Sequence, residues 1–359
     1  MIFRLGELFC GPGGLAYGAM NARIENLNYR IVHQWANDYD LSTCKTYIRN
    51  ICPDRPESVI CKDVHDLDIS KLGAIDALAF GFPCNDFSVV GEQLGFNGKY
   101  GPLYSYGIKV LRLYHPQWFL AENVGGLQSA NGGGAFRSIM SDMRKAGYRL
   151  YPNLYKFEEY GIPQSRHRVI IVGIRDDLPY VFKIPAPTKK IKTCREALEI
   201  PSIACDAPNN EKTKQSTQVV ERLSHIKPGE NAFTAKLPEN LQLNVRGARI
   251  SQIYKRLDPD KPAYTVTGSG GGGTHIYHWS EPRALTNRER ARLQTFPDEY
   301  VFVGSKEEVR KQIGMAVPAQ GAKLIFEAIL RTFAMIPYDS VRANLEEDKQ
   351  ITWDKIIGG

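Results

Sequence analysis

The chain has 359 residues, of which 43% are hydrophobic and 24% are charged, so it can form one large domain or two moderate ones. It contains no run of 18 apolar residues and begins without the apolar core of a signal peptide, which predicts neither a membrane span nor secretion. Its net charge of +7 favours an anionic partner without identifying one. The seven cysteines form no C-x-x-C pair, so no disulfide framework or metal site is predicted and a reducing, intracellular setting is favoured.

The first 180 residues alternate between strand-like and helix-like patterns. Apolar runs typical of buried strands occur at Phe3–Phe9, Ile31–Ala36, Val59–Cys61, Ile75–Phe82, Trp118–Ala121 and Val169–Ile174. Helical periodicity lies between them, for example at Tyr104–Tyr114 and Phe136–Ala146. This order predicts an α/β fold in which helices cover a mostly parallel sheet. Ligands of such sheets bind in the loops at the carboxyl ends of the strands.

The composition changes near residue 185. From there to about Trp279 the chain is polar, interrupted by prolines and weakly periodic. Residues 186–260 hold 13 lysines and arginines against nine acidic residues, a net charge of +4, although a solvated basic surface would show the same excess. A helical pattern returns at Asn287–Gln294 and Pro318–Ala334. We therefore expect a main domain over residues 1–184, a smaller irregular domain over 185–282, a return to the main domain over 283–338 and a tail over 339–359.

The turn after the first predicted strand is glycine-rich and reads Phe9-Cys10-Gly11-Pro12-Gly13-Gly14. Glycines let the backbone pass close to a ligand, and the helix that follows offers its N-terminus to negative charge. The spacing departs from the G-x-G-x-x-G of dinucleotide sites, because Ala16 stands in place of the third glycine. An ordinary turn between a strand and a helix could have the same composition, so this motif alone is a weak signal.

Acidic and aromatic residues follow the next two predicted strands. Asp38 and Tyr39 come after the second strand, and Asp63 comes after the third. A carboxylate in the first position can bind ribose hydroxyls, a flat aromatic ring can stack on adenine, and Asp63 can accept a hydrogen bond from the adenine amino group. Each residue alone is more often a helix cap or a surface group, whereas together they predict a nucleoside site.

A thiol and a carboxylate follow two further strands. Cys84 lies in Gly81-Phe82-Pro83-Cys84-Asn85, directly beyond an apolar strand and beside a proline that stiffens the turn. A thiolate is a strong nucleophile, although a lone cysteine is more often a buried structural residue. Glu122 ends another apolar strand, where partial loss of solvent would raise its pKa and let it donate a proton. The pair favours a catalytic interpretation of both residues.

Two arginines precede the strand at Val169–Ile174, in the segment Gln164-Ser165-Arg166-His167-Arg168. Because side chains alternate along a strand, Arg166 and Arg168 share a face if the strand begins early. Guanidinium groups so placed can contact a polar base edge or a phosphate. Surface arginines at the start of a strand remain the alternative.

In this order the motifs resemble those of the cytosine-5 DNA methyltransferases over residues 3–175 and 283–334. The series is F-C-G-P-G-G, G-F-P-C, E-N-V, Q-S-R-H-R, R-A-L-T-N-R-E-R-A-R-L-Q-T-F-P-D and Q-I-G-M-A-V-P. Each motif alone is weak, whereas six in series are highly specific. Two positions depart from the family pattern: Asn85 stands where many members have glutamine, and Met315 where most have asparagine. Neither departure removes a group that carries out covalent chemistry.

The resemblance implies the Rossmann-like α/β fold of methyltransferases that depend on S-adenosylmethionine (SAM), with a mostly parallel sheet and a second, smaller irregular domain. It implies that Cys84 is the nucleophile, that Glu122 protonates or hydrogen-bonds cytosine N3, and that Arg168, assisted by Arg166, contacts the base O2. The residues implied for the SAM pocket are Phe9, Gly11, Gly13, Gly14, Asp38, Tyr39, Asp63, Pro83, Leu103 and Ala316. The target atoms are inaccessible in a stacked duplex, so the base must be flipped out.

The resemblance also implies what each domain does. Residues 1–184 and 283–338 form the catalytic domain, and 185–282 read a short sequence in double-stranded DNA. Candidates for DNA contacts in that region are Arg246, Arg249, Gln252, Tyr254, Lys255 and Arg256. The family further implies a cytoplasmic monomer of bacterial or phage origin in a restriction–modification system, with a companion restriction endonuclease acting on the same site.

Three alternatives are less consistent with the sequence. An RNA cytosine methyltransferase of this kind would be expected to lack so large a recognition domain. Enzymes that methylate amino groups would need an N/D-P-P-Y/F turn in place of Pro83-Cys84. A DNA-binding module that uses the fold only as a scaffold should have lost Cys84 or Glu122, and the chain retains both.

Overall fold

A computed structural model of the chain describes residues 1–82, 103–243, 251–268 and 270–345. Its strands are β1 Ile2–Leu8, β2 Arg30–Asp38, β3 Val59–Cys61, β4 Ala77–Gly81, β5 Trp118–Val124, β6 Tyr148–Lys156, β7 Gln164–Ser165, β8 His167–Arg175, β9 Ile184–Pro185, β10 Ala263–Tyr264 and β11 Ser340–Val341. Its α-helices are α1 Gly14–Asn21, α2 Leu41–Ile51, α3 Tyr104–Tyr114, α4 Gly134–Lys145, α5 Cys194–Glu199, α6 Thr217–Ser224, α7 Asn287–Leu293, α8 Lys306–Met315 and α9 Ala319–Phe333.

Seven strands form one central sheet in the order β3-β2-β1-β4-β5-β8-β6. Strands β3, β2, β1, β4 and β5 are parallel, and β8 runs antiparallel to both of its neighbours. The alternation of strands and helices along the sequence therefore predicted the fold class correctly. The strand β6 was not predicted. Its sequence contains Pro152, which lacks a donor for a hydrogen-bond ladder and is tolerated because β6 pairs only with β8 at the edge of the sheet.

Side chains that alternate along β4 and β5 divide the core into two faces. Leu78 and Phe119 point towards α3 and α4, whereas Ala79 and Trp118 point towards α1 and α9. The two central strands are thus covered on both sides and lose almost all of their solvent contact. Burial of this kind is what holds the carboxyl ends of neighbouring strands in a fixed register.

The predicted irregular region contains little regular structure. Its described part holds the short helices α5 and α6 and the two-residue strand β10, which pairs with β7. A small apolar cluster of its own surrounds Leu223, Ile226 and Tyr277. The helix α5 instead packs against α7. The described part of the region is therefore folded. The part around α6 has its own apolar core, and α5 packs against the main domain.

The helices after this region return to the sheet. Lys306–Phe333 contains an 18-residue window that is long and apolar enough to cross a membrane, but 72% of that window is buried inside the fold. The helical conformation is also interrupted between α8 and α9, at residues 316–318. The beginning of the predicted tail is anchored as well, because β11 pairs with β9 and Asn344 bonds the backbone of Leu154.

Candidate active site at the carboxyl edge of the sheet

The order of the strands creates a crevice next to β1. From β1 the chain moves outward to β2 and β3, and it then returns to β4 on the other side of β1. The loops that leave β1 and β4 therefore diverge, which is where sheets of this type bind ligands. The start of β8 reaches the same edge, because β8 is antiparallel to β5.

The glycine-rich turn after β1 contains three residues in the left-handed region of backbone conformation. Phe9, Gly11 and Gly13 all have positive φ angles, of 54°, 55° and 94°. A β-carbon on Gly14 would lie 2.4 Å from the carbonyl oxygen of Val317, so this glycine allows a close backbone approach. A β-carbon on Gly11 would meet no described atom within 4 Å. Among the described residues, the turn thus leaves open space above Gly11, as a cradle for a ligand requires.

Asp38 supports this cradle from below. Its Oδ2 accepts a hydrogen bond of 2.9 Å from the Gly11 backbone N–H, and its Oδ1 accepts one of 3.1 Å from the N–H of Asp40. Burial raises the pKa of Asp38, and these backbone donors partly oppose the rise. Asp38 therefore lies where the sequence analysis expects a ribose ligand, and it also fixes the turn.

The remaining candidates for the cofactor site lie along the same edge. The ring of Tyr39 is 66% exposed and is available for stacking. Asp63 caps a short 3-10 turn and lies 2.6 Å from the imidazole of His65, which orients its carboxylate. Leu103 and Ala316 are buried, and Pro83 falls outside the described residues.

Glu122 and Arg168 form an ion pair at this edge. The Nε of Arg168 lies 2.8 Å from Oε1 of Glu122, and each side chain is 13% exposed. Burial raises the pKa of Glu122, while the positive charges of Arg168 and Arg166 partly oppose the rise. A carboxyl group in this state can hold a proton more readily than one at the surface.

The register of the sheet brings Glu122 next to the chain segment that carries the predicted nucleophile. Glu122 pairs with Gly81 across β4 and β5, and a β-carbon on Gly81 would lie 3.2 Å from Oε2 of Glu122. Asn123 donates a hydrogen bond of 2.9 Å to the carbonyl of Phe82. Cys84 and Asn85 fall outside the described residues. Three residues of extended chain span at most about 11 Å, which limits the distance between the Cα atoms of Cys84 and Gly81.

Arg166 has a different environment from Arg168. It is 1% exposed, and it donates hydrogen bonds of 3.0 Å to the carbonyls of Val266 and Gly314. These bonds tie the start of β8 to the irregular region and to α8. The geometry favours a structural role for Arg166, whose charge also acts on the pKa of Glu122.

The sequence analysis missed one carboxyl group beneath the glycine-rich turn. Glu7 on β1 is 1% exposed, and burial raises its pKa to about 8. Its Oε2 accepts a hydrogen bond of 3.0 Å from the hydroxyl of Tyr47, while its Oε1 has no partner among the described residues. An acidic residue near the end of a mostly apolar strand was the signal that could have revealed it.

The candidates for DNA contact in the irregular region divide by burial. Arg246 and Arg249 fall outside the described residues. Gln252 is exposed, and Lys255 is partly exposed with its ammonium group 5.0 Å from the ring centre of Tyr264. Two further candidates are buried. Tyr254 stacks on Tyr277, and Arg256 donates hydrogen bonds to the carbonyls of Leu223, Ile226, His278 and Glu281.

Comparisons with known proteins show the family of the chain. The profile of the C-5 cytosine-specific DNA methylase family matches residues 3–331. The chain is 60% identical to the Type II methyltransferase M.BbvI of Brevibacillus brevis, over 96% of this chain and 95% of that protein. It is 39% identical to the Type II methyltransferase M.NgoFVII of Neisseria gonorrhoeae, over 98% of this chain and 94% of that protein.

A solved structure shares the fold. It is an Escherichia coli chain described as a prophage-encoded DNA modification methyltransferase, with a TM-score of 0.70 and 21% identity, over 92% of this chain and 99% of that one. The fold and the edge of the sheet define an α/β methyltransferase. The chain belongs to the C-5 cytosine-specific DNA methylase family and is an enzyme that methylates cytosine in DNA, a reaction for which this family uses SAM.

Proposed function

We propose that the enzyme methylates carbon 5 of one cytosine within a short double-stranded DNA sequence, through a covalent bond between Cys84 and C6 of a flipped-out base. The observation that carries this proposal is the largely buried ion pair of Glu122 and Arg168, in which Glu122 lies beside Gly81 of the neighbouring strand. That arrangement holds an acid and a hydrogen-bond donor within reach of a nucleophile three residues farther along the chain.

Each of the three side chains has a separate task on the cytosine ring. The Cys84 thiolate adds to C6, and Glu122 holds a proton at N3 while Arg168 donates a hydrogen bond to O2. Electron density then moves to C5, which is otherwise a poor nucleophile. After methylation, loss of the C5 proton to a base and cleavage of the bond between sulfur and C6 restore the aromatic ring and the thiolate.

The open space, the acceptor and the aromatic ring of the cradle support SAM as its ligand. Open space above Gly11 leaves room for the ligand, and Asp38 and Tyr39 supply a ribose acceptor and a stacking surface beside it. We assign the remaining pocket to Phe9, Gly13, Gly14, Asp63, Pro83, Leu103 and Ala316. Bound SAM supplies an electrophilic methyl group. The task of the residues around it is to orient that group and to exclude water.

The irregular region supplies the DNA contacts in this proposal. Residues 185–282 read the target, while 1–184 and 283–338 carry out the chemistry. Gln252 and Lys255 are the described candidates with exposed surface, and Arg246 and Arg249 join them from the sequence. Unstacking the target base costs a few kcal/mol, which contacts in this region must offset. We place the enzyme in a cytoplasmic restriction–modification system, as a monomer with a companion endonuclease.

The covalent step can be tested with DNA that contains 5-fluorocytosine. Fluorine cannot leave as a proton, so the wild type should form a SAM-dependent adduct with mixed-sequence duplexes on a denaturing gel. Cys84→Ser should form no adduct and should still bind SAM in calorimetry. Cys205→Ser, at an exposed cysteine outside the residues assigned to the SAM pocket, is the matched control and should behave as the wild type. An enzyme that methylates ordinary DNA but forms no adduct under the same conditions would refute the covalent mechanism.

A further inference from the structure

Two arginines on α7 are buried to the same degree but differ in their partners. Arg288 is fully buried, and its guanidinium donates hydrogen bonds to the carbonyls of Pro208, Pro297 and Tyr300. Arg290 is 1% exposed, yet its Nη1 and Nη2 have no hydrogen-bond partner in the described part of the chain. Burial of an unpaired guanidinium is strongly unfavourable, so the contrast needs an explanation.

The surroundings of Arg290 add positive charge. Arg310 on α8 is near enough to lower the pKa of Arg290, which burial and this repulsion bring to about 10. The Nε of Arg310 also lacks a partner among the described residues. Arg310 has one ion pair there, a contact of 3.8 Å with Glu307, whose side chain is 74% exposed and therefore weakly held.

Neighbouring groups do not neutralise this pair of arginines. Glu289 is committed to Arg283 and to the backbone N–H of Thr286. His275 is kept neutral, because burial and the two arginines lower its pKa to about 4. Tyr264 and Tyr277 are neutral phenols whose pKa values burial raises further. Apart from the exposed Glu307, the pair therefore has no acidic partner in the described structure.

We propose that Arg290 and Arg310 form a binding site for a phosphate group, which the DNA backbone supplies. The proposal rests on the proposed function, because the site lies where α7 and α8 meet the DNA-reading region. Planar guanidinium groups match the oxygens of a phosphate and bind them as charge-assisted pairs. Half or more of protein–DNA hydrogen bonds go to the backbone, so a phosphate is the expected partner for unpaired arginines beside a DNA surface.

The segment that covers the site is suited to move aside. Gly270 passes over Arg310, since a β-carbon there would lie 2.9 Å from the Nε of Arg310 and 3.1 Å from Nδ1 of His275. Gly270 and Gly271 have no side chains that would have to be extracted, while Gly273 holds the end of the segment in place by accepting a hydrogen bond of 2.7 Å from the backbone N–H of Tyr254. A phosphate can replace this cover at a small cost in packing and supply the charge that the arginines lack.

The salt dependence of DNA binding tests the site. Arg310→Gln should lower the slope of log Kd against log salt by about 0.9, the value for one phosphate contact, and should leave SAM affinity unchanged. Arg30→Gln is the matched control. It removes one exposed charge at the first residue of β2, at the amino ends of the strands, and should leave the slope unchanged. Arg290→Lys provides a second variant that retains the charge and loses the fork, and it should weaken DNA binding at all sites alike.

Two further arms identify the source of the phosphate. Duplexes with a single neutral methylphosphonate linkage should bind the wild type more weakly at one position, and Arg310→Gln should be insensitive at that position. Inorganic phosphate should raise the melting temperature of the wild type more than that of Arg310→Gln if the site binds a free anion. If inorganic phosphate stabilises the wild type more than Arg310→Gln, but no methylphosphonate position distinguishes the two proteins, the site binds a free anion and the DNA assignment is wrong.

The site itself would be overturned by three results together. These are a salt slope that Arg310→Gln leaves unchanged, no methylphosphonate position at which the wild type and Arg310→Gln differ, and no effect of inorganic phosphate on the melting temperature. Failure of the proposed function would look different. In that case the wild type and Arg30→Gln would still methylate duplex DNA but would form no adduct with 5-fluorocytosine, whereas the salt dependence and the experiment with inorganic phosphate would still report on the two arginines.

Discussion

The carboxyl edge of the sheet and the irregular region position their polar residues by different means. At the edge, backbone register brings Gly81, Glu122 and Arg168 together, so the order of strands determines which side chains meet. In the irregular region, burial decides the role of a side chain. Tyr254 and Arg256 face the interior, while Gln252 and Lys255 retain exposed surface. Residue type and position in the sequence therefore predict where a polar side chain lies better at the edge than in the region that is proposed to read DNA.

The largest effect should come from the edge. Glu122→Gln keeps the shape of the side chain but cannot hold a proton at N3, and it should slow the chemical step by about 10²–10⁴-fold. Single-turnover rates on DNA measure this step. Glu159→Gln, at a more exposed carboxylate, is the control and should retain the wild-type rate. A near wild-type rate for Glu122→Gln would show that Glu122, although strand register places it at this edge, does not take part in the chemical step.

In the irregular region, Arg256 was expected to contact DNA, but its burial predicts that its replacement lowers the stability of the fold instead. Arg256→Met leaves the carbonyls of Leu223, Ile226, His278 and Glu281 without their donor. It should lower the free energy of unfolding by about 3 kcal/mol. Lys255→Gln should leave stability unchanged and reduce the salt dependence of DNA binding instead. Denaturant titration separates the two, and a fully stable Arg256→Met would contradict the role of burial.

Two glycines of the cradle should differ in whether their replacement affects stability or SAM affinity. Gly14→Ala should cost about 1–3 kcal/mol of stability without SAM, because its methyl group meets the Val317 carbonyl. Gly11→Ala meets no described atom but carries left-handed strain and fills the cradle, so it should lose more in SAM affinity than in stability. Thermal unfolding and calorimetry measure both quantities, and equal behaviour of the variants would argue against the cradle.

The smallest expected effect is a shift in the pH profile. Arg168 opposes the rise that burial produces in the pKa of Glu122. Arg168→Gln removes that opposition, so the pKa of Glu122 should rise and its protonated form should persist to higher pH. The basic limb of the single-turnover profile should move upwards, while the maximal rate falls through loss of the O2 contact. A basic limb that moves to lower pH would exclude Glu122 as the group that holds the proton.

The sequence predicted the central strands well because their apolar runs are fully buried. It did not predict β6, whose polar faces and Pro152 reflect an edge position that depends on tertiary pairing. It predicted that Glu122 ends one strand and that Arg168 precedes another, but the two residues meet at one edge because β8 runs antiparallel to β5, a direction that the apolar runs did not reveal. It could not show that Arg166 binds two backbone carbonyls, because those carbonyls lie about 100 and 150 residues away in sequence, as positions 266 and 314. Contacts of that separation leave no local pattern.

The packing of α9 against the sheet has a consequence for biosynthesis. This helix covers the face that carries Phe3, Ala79 and Trp118, and it contacts α1 near the start of the chain. That apolar face therefore stays uncovered until the ribosome has passed Phe333. A nascent chain in this state is prone to aggregation, which makes it a client for chaperones that hold exposed apolar surface. We expect the catalytic domain to complete its folding after α9 has emerged, so that arrest of translation before α9 yields an insoluble chain.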